Sequence, residues 1–86
     1  MKPKDTLPLY DSAHLFTAAI RLLTYQDQAP PDIDQVCDLL SLSTERGGFI
    51  CRRLEEIGAV EPVSGAYGLR LFVRDHLKLE DIPREE

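Results

Sequence analysis

Apolar side chains recur at helical spacing in three separate stretches of the first two thirds of the chain. Asp11 or Ser12 can cap the first helix, because either side chain accepts a hydrogen bond from a first-turn amide. This helix should end near Gln26, since Pro30-Pro31 cannot continue it. The apolar spacing predicts which side faces a core. The inward residues are Leu15, Phe16, Ala19, Ile20 and Leu23, and Thr17, Arg21 and Thr24 lie opposite.

Two more helices are predicted on either side of a short serine-containing break. Asp32 or its neighbour Asp34 is placed to cap the second helix. The segment 41–43 interrupts the periodicity, and Ser43 or Thr44 caps the third helix in the same way. The inward residues of these helices are Ile33, Val36, Cys37 and Leu40, followed by Gly47, Ile50 or Cys51, and Leu54.

After the third helix the periodicity changes from helical to alternating. Gly58 can adopt the left-handed conformation with which many helices end. Short strands at 59–63 and 69–74 flank a turn that contains two glycines. The predicted fold is therefore α+β, a winged helix-turn-helix made of a three-helix bundle and a two-stranded β-hairpin wing. We expect Leu54 and Val60 to share its core.

The length and composition indicate one folded domain at 11–82, with an N-terminal arm at 1–10 and a C-terminal tail at 83–86. No apolar run approaches the length of a membrane span. The start of the chain also lacks the pattern of a secretory signal. We expect a cytoplasmic protein with no membrane partner.

Catalytic and metal-binding motifs are absent from the sequence, so we expect neither an enzyme nor a cofactor. Cys37 and Cys51 fall at inward helix positions and are interpreted as small buried hydrophobes. His14 and His76 stand at no close ligand spacing, so no metal site is expected.

The net charge of −5 is distributed unevenly along the chain. Residues 43–74 hold five arginines and four glutamates, a net of +1, and the remaining residues together carry −6. The region that would contact DNA in a winged helix is therefore close to neutral. This charge weighs against strong non-specific binding to nucleic acid.

The third helix and the wing nevertheless contain side chains suited to double-stranded DNA. In a winged helix the third helix enters the major groove by its N-terminal half. Arginine can pair with guanine or hold a phosphate, and a hydroxyl at a helix start can hold another phosphate. The candidate DNA-binding residues are Ser43, Thr44, Arg46, Phe49, Arg52 and Arg53 on the helix, and Tyr67, Arg70 and Arg74 on the hairpin.

Ordinary surface chemistry explains several of the same residues equally well. Arg52 and Glu56 are spaced for a helix ion pair worth a few tenths of a kcal/mol. Arg70 and Arg74 would form the polar side of the hairpin, and Tyr67 would cover an edge of the core.

DNA binding by the third helix and the wing is the first hypothesis, and a third helix that contacts a protein is the alternative. Each residue of Gly47-Gly48 costs roughly 1 kcal/mol inside a helix relative to alanine. The pair indicates either close approach of a partner or tight packing on the first or second helix, and we favour packing slightly. If Phe49 points outward, a protein partner is favoured, because exposed aromatic side chains mark interfaces.

Three segments resemble a known family, namely IRLLTYQDQAPPDIDQVCDLLSLS, ICRRLEEIGAVEPVSGAYGLRL and HLKLEDI. Over roughly 12–82 the chain resembles winged-helix repressors of the iron–sulfur cluster regulator type. More loosely, it resembles regulators of the multiple-antibiotic-resistance type. The resemblance implies a bacterial transcriptional regulator that acts as a dimer, paired here through the first helix or the terminal segments. No cysteine follows Cys51, so the family's cluster is not implied, and Ser64-Gly65 replaces the usual arginine-glycine of its wing.

Overall fold

The computed structural model describes residues 8–66 and 68–83. Three α-helices are followed by a two-stranded antiparallel hairpin and a short 3-10 helix, which is an α+β arrangement. The predicted order of three helices and a hairpin is confirmed. No described helix has the length and apolar character needed to cross a membrane. The elements are α1 (Leu9–Asp27), α2 (Ile33–Leu40), α3 (Thr44–Glu56), β1 (Val60–Gly65), β2 (Gly68–Val73) and the 3-10 helix η1 (His76–Asp81).

Helix α1 begins earlier than predicted. Its N-cap is Pro8, so the assignment of the cap to Asp11 or Ser12 is wrong. The Ser12 amide donates to the Pro8 carbonyl at 2.9 Å, which places Ser12 within the first turns. Leu9 and Tyr10, assigned to the arm, lie in α1 and pack against the core. Their burial stabilises a first turn that has no side-chain cap. Residues 1–7 and 84–86 of the predicted arm and tail lie outside the described residues.

The inward side of α1 also differs from the prediction at two positions. Phe16, Ala19 and Ile20 are buried as expected, but Leu15 is 42% exposed. Thr17 is buried instead, because its hydroxyl donates to the Ala13 carbonyl at 2.9 Å and so needs no solvent partner.

Helices α2 and α3 begin at the predicted caps. Asp32 accepts from the Gln35 amide at 2.8 Å, and the Gln35 side chain accepts from the Asp32 amide at 3.0 Å. This reciprocal pair is a capping box. Ser43 accepts from the Arg46 amide at 3.1 Å and caps α3. Ser41 takes a left-handed conformation, with φ of 58°, and turns the chain between the two helices.

Close contact between α2 and α3 explains one of the two adjacent glycines. A Cβ atom added at Gly47 would collide with Sγ of Cys37, so only glycine fits at this crossing. A Cβ added at Gly48 would meet nothing within 4 Å. The interpretation of tight packing is thus confirmed for Gly47, with α2 as the neighbour, and packing does not require a glycine at 48.

The hairpin returns the chain into the helical core. Gly58 ends α3 with φ of 82°, and Val60 pairs with Val73 across the two strands. Leu54 and Val60 are buried in one cluster, as predicted. The strands extend to Gly65 and begin at Gly68, so they are longer at the turn than predicted. The edge of the second strand is anchored to the linker between α1 and α2, since the Leu71 amide donates to the Pro31 carbonyl at 2.8 Å.

Candidate interaction surface of the third helix and the hairpin

The first turn of α3 presents two exposed hydroxyl residues, Ser43 and Thr44. The Ser43 hydroxyl already accepts from the Arg46 amide as the helix cap. The Thr44 side chain stands at the first position of the helix, on the solvent side. The start of α3 is therefore accessible, although part of its hydrogen-bonding capacity serves the fold.

Phe49 points outward from α3. The residue is 45% exposed, so a large part of the ring is open to solvent. The guanidinium carbon of Arg46, one turn earlier, lies 5.3 Å from the centroid of the Phe49 ring. This distance is typical of a cation–π contact, and the contact holds both side chains against the helix surface.

The two adjacent arginines of α3 differ in their surroundings. Arg53 donates to Oε1 of Glu56 at 3.0 Å, so the glutamate predicted to pair with Arg52 pairs with its neighbour instead. Arg52 is exposed and forms no ion pair with any residue in 8–66 or 68–83. It is the cation of α3 that is free to contact another molecule.

The arginines of the hairpin are engaged within the molecule. Nη1 of Arg70 lies 3.9 Å from Oδ2 of Asp32 and 3.5 Å from the Pro30 carbonyl oxygen, so the side chain reaches back to the linker before α2. Nη1 of Arg74 lies 3.0 Å from Oε1 of Glu61 on the opposite strand. Exposed pairs of this kind contribute roughly 0–1 kcal/mol each to stability.

The structure thus brings together part of the predicted site. Ser43, Thr44, Arg46, Phe49, Arg52 and Arg53 share the outer part of α3, whereas Arg70 and Arg74 are held in contacts elsewhere. Tyr67 lies outside the described residues. Three exposed glutamates, Glu45, Glu55 and Glu56, alternate with the arginines of α3. The outer face of α3 is consequently mixed in charge around one exposed aromatic ring.

Both cysteines are buried as free thiols within the described part of the chain. Burial, together with the nearby Glu55 carboxylate and Cys37, raises the pKa of the Cys51 thiol from 9.0 to about 11. A thiol with such a pKa is a poor nucleophile near neutral pH. Among the described residues no three His, Cys, Asp or Glu side chains lie close enough together to hold a metal ion.

A polar cluster that sequence reasoning missed connects α1 to η1. The Tyr10 hydroxyl donates to the Glu80 carboxylate at 2.7 Å, and Nε2 of His14 lies 3.2 Å from the same group. The rings of Tyr10 and His14 meet edge to face at 4.6 Å between centroids. The four-residue spacing of Tyr10 and His14 was a detectable signal, but their partner is about 70 residues away in the chain. These contacts fasten η1 to α1.

Comparison with protein-family models, curated proteins and solved structures finds no significant match to this chain.

Proposed function

We propose that this chain is a winged helix-turn-helix module whose third helix binds a protein partner, with Phe49 at the centre of the contact. The order of the elements supports this fold, because two helices joined by a three-residue turn precede a hairpin that packs on the same core. The main-chain contact between β2 and the linker after α1 supports it as well. The observation that carries the functional proposal is the outward position of Phe49 on α3.

An exposed phenylalanine suits a protein interface better than a DNA groove. Aromatic and arginine side chains dominate the binding energy of protein interfaces. The contact between Arg46 and Phe49 holds the ring in place before binding, which lowers the entropy cost of association. Gly48 lies next to Phe49 with open space above its backbone, so the main chain of a partner can approach closely.

The charges of the hairpin also favour a protein partner. A wing that contacts DNA needs cations that reach the phosphates. Both described arginines of the hairpin lie within 4 Å of a carboxylate of the same chain, so a phosphate would compete with that carboxylate for the guanidinium. The net charge of −5 adds a long-range repulsion from DNA.

Affinity capture from the source organism, compared between wild type and Phe49→Ser, tests the proposal. Phe72→Ser is the matched control, because it makes the same change at a hairpin residue of similar exposure. A partner retained by wild type and Phe72→Ser but lost by Phe49→Ser is expected. The purified partner should then bind Phe49→Ser at least tenfold more weakly, as for an interface hot spot. Equal binding by all three proteins would contradict the role of Phe49.

DNA binding by the same helix is the second candidate, and the unpaired Arg52 beside the exposed start of α3 favours it. Fluorescence anisotropy with duplex DNA at low salt measures this activity directly. If α3 binds DNA, Arg52→Ala should weaken binding and reduce its salt dependence, whereas Phe49→Ser should have the smaller effect. Absence of binding at low salt would exclude this candidate.

A further inference from the structure

Helix α1 carries a second apolar stripe on the side opposite its core contacts. Leu15 and Leu22 are 42% and 44% exposed, and Tyr25 is 78% exposed. With Ala18, which is also exposed, these residues are spaced by three, four and three positions. Such spacing places them in one row along a helix, as at the a and d positions of a coiled coil. We call this row the outer stripe.

The outer stripe lies on the side of α1 opposite its most deeply buried residues. Successive helix residues are rotated by about 100°. The buried residues Phe16, Ile20 and Leu23 therefore cluster on one side, and the outer stripe lies roughly half a turn away from them. Along one edge the stripe borders other elements, since Ala18 lines a cleft with Leu77 of η1 and Tyr25 lines a cleft with Phe72 of β2. A partner helix on the stripe would therefore lie beside the exposed side chains of Leu77 and Phe72.

The charges of α1 select a second copy of this chain as the occupant. Residues 12–26 form the longest stretch of the sequence without aspartate or glutamate, although the chain carries fifteen acidic residues. Arg21 is the one lysine or arginine in this stretch. Two molecules of charge −5 repel each other, and they can approach most easily along the part of α1 that carries no carboxylate of its own. The Glu80 carboxylate, which lines a cleft with Ala18, is bonded to Tyr10 and His14. We propose that two copies pair through their outer stripes with the α1 helices antiparallel.

The position of Asp11 determines the relative direction of the two helices. Asp11 continues the outer stripe four residues before Leu15 and is exposed. A parallel pair would place the two Asp11 carboxylates together and would align the two helix dipoles, and both effects are unfavourable. An antiparallel pair separates the carboxylates, brings Leu15 of each copy near the Leu22–Tyr25 end of the other, and places the small Ala18 residues near the centre.

The size of the outer stripe predicts a dimer of moderate affinity. A contact along one helix of 19 residues is smaller than a standard protein interface. We therefore expect a dissociation constant in roughly the micromolar range. This pairing does not depend on the function proposed for α3, because the outer stripe and Phe49 belong to different helices.

Analytical ultracentrifugation of the full chain over a concentration series tests the dimer. Wild type should change from monomer to dimer as the concentration rises. Leu22→Glu should raise the dissociation constant at least tenfold, because a carboxylate then lies in the apolar contact. Tyr25→Asp is the second variant, at the most exposed position of the stripe. Leu39→Glu makes the same charge change at a residue of similar exposure on α2 and should dimerise like wild type.

Circular dichroism confirms that each variant is folded. A wild-type protein that stays monomeric at its highest soluble concentration would overturn the proposal. It would also be overturned if folded Leu22→Glu and Tyr25→Asp dimerised like wild type. The same holds if Leu39→Glu raised the dissociation constant as much as Leu22→Glu does.

Disulfide trapping tests the orientation of the pair. Leu15→Cys and Leu22→Cys should form a mixed disulfide when the two variants are combined and oxidised, while neither cross-links efficiently by itself. The native thiols of Cys37 and Cys51 are buried and do not compete. Efficient cross-linking of each variant with itself, and not with the other, would indicate a parallel pair and overturn the antiparallel arrangement.

Discussion

Helices α1 and α3 both expose apolar side chains away from the core, but in different patterns. On α1, Leu15, Leu22 and Tyr25 follow one another along three turns with no carboxylate between them. On α3, Phe49 stands alone among arginines and glutamates. The row on α1 is continuous and almost uncharged, whereas the single ring on α3 is surrounded by side chains of both charges.

This difference indicates two kinds of contact. A long uncharged row gains its binding energy from the apolar surface area buried on association, so it suits an extended partner helix. One rigid ring with charged neighbours suits a small contact in which the side chains must meet in one geometry. This difference is the reason that we propose self-association for the outer stripe and a different protein partner for the α3 surface.

Any side chain added at Gly47, on the inner side of α3, should destabilise the fold. Gly47→Ala should lower the free energy of unfolding by about 1–3 kcal/mol, because the new Cβ collides with Sγ of Cys37. Urea denaturation measures the loss. Cys37→Ala removes the colliding atom, so the double variant should be more stable than the sum of the two single effects predicts. Simple additivity would show that the contact is not the cause.

An alanine at Gly48, on the outer side of α3, should stabilise the fold rather than destabilise it. Gly48→Ala should raise the free energy of unfolding by about 0.5–1 kcal/mol, because alanine is the better helix former and its Cβ enters open space. The same denaturation experiment checks this gain. If Gly48 admits a partner's backbone, this more stable variant should bind the partner more weakly. A loss of stability would mean that the position is packed.

The exposed aromatic rings of α3 and α1 should contribute differently to the stability of the monomer. Phe49→Ala should cost about 0.5–1 kcal/mol, since it removes the cation–π contact with Arg46. Tyr25→Ala should change monomer stability by less than about 0.5 kcal/mol, because its side chain is largely in solvent. Thermal unfolding at low protein concentration measures both. Equal losses at the two positions would show that Tyr25 contributes to the fold of one chain.

At neutral pH the smallest expected effect is that of the Cys51 thiol, whose titration changes stability only in alkaline solution. Its pKa is raised to about 11 in the folded protein, so the folded state holds the proton more tightly than the unfolded state. The associated stability is present below pH 9 and is lost as the pH rises through the folded pKa of about 11. Cys51→Ala should show a shallower decline over this range in denaturation curves. An identical decline in both proteins would assign the effect to other groups.

Local signals in the sequence predicted most of the fold. The caps at Asp32 and Ser43 and the stop at Gly58 act through hydrogen bonds or backbone conformations within a few residues, so they are visible in the sequence itself. The start of α1 was missed, because burial of Leu9 and Tyr10 on distant residues replaced a side-chain cap.

The candidate site was predicted less completely. The residues along α3 could be placed on one outer face from helical spacing alone. The engagement of Arg70 with Asp32, and of Arg53 rather than Arg52 with Glu56, depends on where side chains meet in space, which spacing does not reveal.

The sequence by itself determined three helices, a hairpin and their common core around Leu54 and Val60, because helical and alternating periodicities reflect burial on one side of each element. Only the tertiary structure decided that Leu15 lies outside and Thr17 inside. The physical reason is that α1 has enough apolar residues for two sides. The helices and strands packed against it decide which side is buried.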